Sequence, residues 1–189
     1  YKKGFKRGYQ TAKAYLIKLK KLPKGEFGVM HGLINIPELK VVTKNYGVSI
    51  NEYLVAVFAW ATYIQCLHKE PSKKPIRIAV PVNLRPYFNS NTTKNFFTMV
   101  SAEFHPTEKE YTFEEVLAII QQSLKSQIQK ENLEELFSAT VSNQKNKFLR
   151  MVPLVIKNLV MRFVYNRSAL ANTTTITNVG FVKLDPVYE

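Results

Sequence analysis

The order of apolar and polar residues along the chain predicts several short strands. Some runs alternate between apolar and polar residues, and others are continuously apolar over the length of a strand. We expect strands at residues 14–22, 27–34, 76–81, 96–104, 173–176 and 181–184. The first run also has leucines at helical spacing, so a helix remains an alternative there. The fourth run is apolar on both faces, which is typical of an interior strand.

Helices are predicted where capping residues precede apolar residues at helical spacing. Asn35, Ser49 and Thr112 are suitable caps, and the last two are each followed three residues later by glutamate, the pattern of a capping box. We expect helices at residues 35–46, 49–67, 112–146 and 148–165. The second has almost no polar face and should be buried. The last should be buried or amphipathic, with a membrane-surface helix as the alternative.

The order of these elements predicts an α/β fold in which helices pack on a mixed β-sheet. The chain has 189 residues, the size of one ordinary domain. Residues 1–13 are basic and read as a linker or the start of the domain, which we assign to residues 14–189. Cys66 is the only cysteine, and no secretory pattern is evident, so a reducing cytoplasmic location is expected.

The chain is strongly basic, with 27 Lys and Arg residues against 14 Asp and Glu residues and a formal net charge of +13. Such a surface favours anionic partners: nucleic acid, anionic lipid, or a phosphorylated molecule such as CoA. A solvated basic face without a partner is equally open. Nucleic acid is the less favoured partner, because no zinc-finger spacing or RNA-recognition signature occurs.

Residues for catalysis are scarce. Asp185 is the only aspartate, so a Ser-His-Asp triad would need it or a glutamate, and metal cages built on several aspartates are excluded. His31, His68 and His105 have no carboxylate four residues later that could orient the imidazole. Cys66 lies in an apolar helix and is expected to act as a small hydrophobic residue. We expect no metal.

Two turns are candidates for binding. Arg85 follows an apolar strand and precedes Pro86, where it could clamp a carboxylate or brace its own loop. Asn178 and Gly180 follow a threonine-rich strand, where hydroxyl groups beside a glycine could line a channel, or could simply belong to a strand and bulge.

Three stretches together resemble the carboxy-terminal lobe of chloramphenicol-acetyltransferase-like acyltransferases, nearest to bacterial alcohol acetyltransferase-like proteins. The stretches are IPELKVVTKNYGVSINEYLVAVFAWATYI, IRIAVPVNLRPYFNSNTTKNFFTMVSAEF and TTTITNVGFV, between residues 36 and 182. The resemblance implies two similar lobes with a substrate tunnel between them. It also implies an acyl-CoA donor such as acetyl-CoA and a small alcohol or amine acceptor.

The resemblance assigns the catalytic histidine to an H-x-x-x-D motif on the amino-terminal lobe, and no such motif occurs in this chain. It implies that Arg85 pairs with the aspartate of that motif. It also implies that Asn83, Arg85, Thr177, Asn178 and Gly180 line the tunnel. The chain alone should then be inactive, with the amino-terminal lobe of the same polypeptide as its partner.

Two alternatives remain open at the level of sequence. One is a non-catalytic binding or scaffold domain for an anionic partner, and the other is a condensation-domain fragment that uses carrier-bound acyl groups. Exposure of the surface between the lobes could also drive self-association.

Overall fold

The structure, a computed structural model, describes residues 12–18, 22–23, 25–145 and 151–180. In this part of the chain six helices and three strands are present. The helices are α1 (Ile36–Asn45), α2 (Ile50–Gln65), α3 (Arg85–Phe88), α4 (Phe113–Gln127), α5 (Lys130–Lys145) and α6 (Leu154–Ala169). The strands are β1 (Ile76–Asn83), β2 (Phe97–Phe104) and β3 (Thr174–Thr175).

The sheet is mixed, as the sequence predicts. Its order is β2-β1-β3; β1 pairs antiparallel with β2, from Ile76 opposite Phe104 to Asn83 opposite Phe97. β3 pairs parallel with β1. The three strands and the described helices confirm a mixed α/β architecture.

Helices α2 and α4 cover one face of the sheet. Side chains alternate across a strand, so the even-numbered residues of β1 and β2 share that face. They form a buried core with α2 and α4 that includes Ile78, Val100, Phe104, Ala59, Tyr63 and Ile120. Rings of Tyr63, Phe104 and Tyr111 meet edge-to-face with centroids 5.0 to 6.0 Å apart, a geometry that favours aromatic pairs.

The three helix starts predicted from capping residues are confirmed. The Asn35 side chain accepts a hydrogen bond from the backbone N–H of Glu38, and Ser49 and Thr112 each form the full capping box. Gly47 takes the left-handed conformation after α1, with φ of +65°. Local sequence determines these boundaries because each cap satisfies backbone N–H groups that the helix itself leaves unpaired.

Both early strand predictions are wrong for the described residues. Residues 14–18 form isolated backbone hydrogen bonds, such as Ala14 N–H to Leu170 O at 2.9 Å, without a strand ladder. Residues 27–34 are irregular and exposed, with Met30 and Leu33 almost fully open to solvent. These runs have the apolar composition of strands, but no strand among the described residues pairs with them.

Three other expectations need correction. Helix α2 is buried on one face only, since Val57 and Ala61 are exposed. Strand β2 lies at the sheet edge, where side chains of α4 replace a neighbouring strand: Gln127 bonds both backbone groups of Ser101, and Ser123 accepts from the Glu103 N–H.

Helix α6 begins later than expected and is not buried; every position from 158 to 169 is exposed. Residues 146–150 and 181–184 lie outside the described residues.

Arg77 in β1 joins the ends of the domain. Its side chain is almost fully buried and donates from Nη1 to the carbonyls of Ala12 and Ala171, at 2.9 and 2.8 Å. Its Nε donates to Glu103 Oε2 at 3.0 Å on the neighbouring strand. The backbone of Arg77 also exchanges hydrogen bonds with Thr173. One side chain thus holds the start of the described chain, β2 and the segment after α6 in place.

Replacing Arg77 with methionine should lower the free energy of unfolding by about 2–4 kcal/mol, because two buried carbonyls and one carboxylate lose their donor. Urea unfolding followed by circular dichroism measures the change. Glu103→Gln is the matched control: its amide oxygen can still accept from Nε, so it should cost less than about 1 kcal/mol. Equal losses for the two variants would show that the ion pair, and not the carbonyl bonds, stabilises the domain.

Candidate functional site

The face of the sheet opposite α2 and α4 is the candidate site. Odd-numbered residues of β1 point to this face, and Arg77 closes one end of it. Towards the other end Pro81 is half-buried and Asn83 is exposed. This face of the sheet is therefore covered at the Arg77 end, where Ala79 is also buried, and open at the Asn83 end.

Two turns meet the same end of the sheet. Asn83 ends β1 and leads into the turn of Arg85, and Thr177 and Asn178 follow the parallel strand β3. Because neighbouring parallel strands run in one direction, their carboxyl ends lie at the same edge. Ile176 packs into the core, so alternation places the exposed Thr177 on the open face with Asn83.

Arg85 is held by its own loop. Its Nε donates to the carbonyl of Thr92 at 2.9 Å, and Nη2 donates to the carbonyl of Lys94 at 2.7 Å. Nη1 and the backbone N–H of Arg85 both donate to Asn83 Oδ1, at 3.2 and 3.1 Å. A guanidinium has five N–H groups, and these bonds use three. Arg85 therefore braces the loop over residues 89–94 and keeps N–H groups for a further acceptor.

The second turn has the conformation expected of it. Asn178 Oδ1 accepts a hydrogen bond from the Gly180 N–H at 2.8 Å, and Gly180 has φ of +79°, a region that favours glycine. Thr177, Asn178 and Gly180 are all exposed. The Asn178 carboxamide nitrogen points to no described partner and remains available as a donor.

The histidines do not form a catalytic group within the described residues. His105 Nε2 lies 2.9 Å from the carbonyl oxygen of Ser72, and because a carbonyl only accepts, this nitrogen carries the proton. His31 and His68 are exposed and none of the three is paired with a carboxylate. Cys66 is half-buried at the end of α2 and its carbonyl accepts from the Tyr15 hydroxyl.

Groups with shifted pKa lie at the opposite end of the sheet. Hydrogen bonds to Glu110 and Glu115 raise the pKa of Lys69 and Lys109 respectively, and the bond from Lys109 lowers the pKa of Glu115. Partial burial raises the pKa of Tyr15, and the nearby Cys66 adds to the rise. These groups lie near the start of β1, so their shifts reflect surface ion pairs and packing and not the candidate site.

Among the described residues no group of His, Cys, Asp and Glu side chains is arranged to hold a metal ion. None of the helices in the described part of the chain combines the length and apolar character that crossing a membrane requires. Comparisons with protein-family models, curated proteins and solved structures found no match to this chain.

Sequence reasoning missed Arg77 and Glu103. Both are charged residues inside otherwise apolar strands, and the register of the two strands places them opposite each other. A charged residue in an apolar strand requires a partner, so this pair could have been identified by aligning the two strands as an antiparallel pair.

Arg85→Ala should free the loop over residues 89–94, because the carbonyls of Thr92 and Lys94 lose their donor. Limited trypsin digestion, followed by mass spectrometry, should show that cleavage after Lys94 is about tenfold faster. This factor corresponds to a free energy of loop opening that is lower by about 1.4 kcal/mol. Arg162→Ala, which removes an exposed arginine from α6, should leave this rate unchanged. The same rate in Arg85→Ala as in the parent would show that these bonds do not restrain the loop.

The raised pKa of Tyr15 predicts a loss of stability at alkaline pH. A folded-state pKa above the unfolded value means that the stabilising effect is complete below about pH 10 and falls as pH rises through the folded pKa. In Tyr15→Phe this contribution is absent, so its stability should fall less steeply between pH 9 and 12 than that of the parent. Thermal melts of both proteins across this range measure it; parallel curves would contradict the assignment.

Proposed function

We propose that this chain is the carboxy-terminal half of a CoA-dependent O- or N-acyltransferase with a chloramphenicol-acetyltransferase-like lobe. In this proposal the open face of the sheet is one wall of a substrate tunnel. The observation that supports it is the position of two polar turns, at Asn83–Arg85 and Thr177–Asn178, at the carboxyl ends of two parallel strands on an uncovered face.

A two-lobed enzyme accounts for the one-sided sheet. An exposed sheet face with half-buried apolar residues such as Pro81 and Met99 is stabilised when a second surface covers it. The amino-terminal lobe of the same polypeptide would provide that surface. The N–H groups of Arg85 that its loop does not use could then donate to an aspartate carboxylate of that lobe, as the resemblance implies.

The polar groups of this wall suit an acyl acceptor and donor rather than acid–base catalysis. Asn83, Thr177 and Asn178 supply hydroxyl and carboxamide groups that can hydrogen-bond a thioester or an alcohol. The histidine base would come from the other lobe. It would remove the proton of the acceptor hydroxyl or amine, whose oxygen or nitrogen attacks the acyl carbonyl, and the CoA thiolate would leave and take up a proton.

The charge of the chain is consistent with an acyl-CoA donor. CoA carries several phosphate charges, and a chain with net charge +13 raises the local concentration of such an anion. Acyl-CoA is here a substrate, and no metal is part of the proposed reaction. A cytoplasmic location, where acyl-CoA is available, is part of the same proposal.

A binding or scaffold domain for an anionic partner is the second candidate. The observation that favours it is the state of the histidines: His105 is committed to a backbone carbonyl and none is paired with a carboxylate among the described residues. Salt-sensitive binding of an anionic polymer without binding of acetyl-CoA would support this candidate instead.

Thr177→Val tests the tunnel wall in the native polypeptide that contains this segment. The change removes one exposed hydroxyl group and keeps the side-chain shape, so folding should be unaffected. We expect kcat/KM for acetyl transfer from acetyl-CoA to short-chain alcohols to fall by about tenfold, since a hydrogen bond to the reacting groups is lost. Release of the free thiol measures the reaction.

Thr93→Val is the matched control, because Thr93 is an exposed threonine in the loop over residues 89–94 and should not alter kcat/KM. The isolated 189-residue chain should transfer no acetyl group. Transfer by that chain alone, or equal effects of the two valine substitutions, would overturn the assignment of Thr177 to the substrate wall.

A further inference from the structure

Most of the apolar side-chain surface of helix α6 is exposed. Its large apolar side chains expose from about half to nearly three quarters of their surface: Leu154, Val155, Ile156, Leu159, Val160, Met161, Phe163, Val164 and Tyr165. Four of them, Val155, Ile156, Leu159 and Phe163, follow helical spacing and form one stripe. Exposed apolar surface of this extent marks an interaction site.

The charges of α6 favour a protein partner over a lipid surface. Lys157, Arg162 and Arg167 are spaced five residues apart, which separates successive cations by about 140° around the helix. A helix that lies on a membrane needs one continuous polar face. Helix α6 has no such face, because the exposed Met161, Val164 and Tyr165 lie on the side opposite its apolar stripe. Carboxylates on a protein can instead pair with its cations on several sides.

Helix α5 carries an acidic face of the matching kind. Glu131, Glu134 and Glu135 are exposed and lie within 100° of one another around the helix, on the side opposite the buried Leu133. No hydrogen bond or ion pair engages these carboxylates, and none engages the guanidinium groups of Arg162 and Arg167, among the described contacts. The chain therefore has unpaired acids on one helix and unpaired arginines on another.

We propose that α6 of one copy of this chain packs against the acidic face of α5 in a second copy. A two-fold axis would repeat the contact, with α5 of the first copy receiving α6 of the second, as in isologous dimers. The net charge of +13 opposes association at long range, but physiological salt screens it beyond about 8 Å. Contacts between α6 and α5 act within that distance.

Charge reversal tests this contact by sedimentation velocity at physiological salt. The parent chain should shift from monomer to dimer as its concentration rises. Arg162→Glu with Arg167→Glu should raise the dimer Kd by about tenfold or more, because the two introduced glutamates then repel the carboxylates of α5. Glu131→Lys with Glu134→Lys should have the same effect through the other side of the contact.

Mixing the two charge-reversed variants distinguishes the contact from a general charge effect. Each variant alone repels itself. In a mixed dimer, however, the arginines on α6 of the second variant meet the glutamates on α5 of the first, and the new glutamates on α6 of the first meet the new lysines on α5 of the second. Both contacts then pair opposite charges, so a mixed dimer should form. Lys73→Glu with Lys74→Glu changes the net charge by the same amount as the double arginine variant, at two exposed positions outside both helices, and should leave the Kd unchanged.

Three results would overturn the proposal. The first is a monomer at every concentration, and the second is a dimer that neither charge reversal weakens. The third is binding to vesicles of anionic phosphatidylglycerol by a chain that stays monomeric, which would assign α6 to a lipid surface. Acetyl transfer is measured separately, so failure of the dimer contact leaves the proposed enzyme function untouched.

Discussion

The buried guanidinium of Arg77 is the interaction on which the domain depends. An arginine in the middle strand of a sheet is costly to bury unless its N–H groups find acceptors. Here the acceptors come from Ala12, Glu103 and Ala171, which are far apart in the sequence. Because the N–H groups of Arg77 need these acceptors, this side chain determines where the chain enters the fold and where the segment after α6 lies.

This constraint also determines which part of the sheet can bind a ligand. Arg77 closes one end of the face that α2 and α4 do not cover, so only the end near Asn83 stays open. The two turns at that end follow adjacent parallel strands, and Arg85 uses its donors to shape one of them. A structural arginine thus lies near the start of β1, and a candidate binding arginine follows its end. The six residues from Arg77 to Asn83 span about 20 Å at a rise of about 3.3 Å per residue.

The sequence was informative where structure depends on near neighbours. The caps at Ser49 and Thr112, the left-handed Gly47 and the two paired strands follow from residues within a few positions of one another. Residues 14–18 and 27–34 were misjudged because a strand requires a partner that composition does not reveal. The exposure of α6 was missed for the same reason, and the link from Arg77 to Ala171 depends on a pairing across 94 residues.

The core of this domain leaves the apolar residues of α6 exposed, and the proposed second copy would cover part of them. The core between α2, α4 and the sheet is already closed by residues such as Tyr63 and Phe104, so additional apolar surface cannot be buried there. A second lobe and a second copy would cover different surfaces: the open sheet face in one case and the outer sides of α5 and α6 in the other. The two contacts are therefore compatible, because neither requires a residue that the other uses.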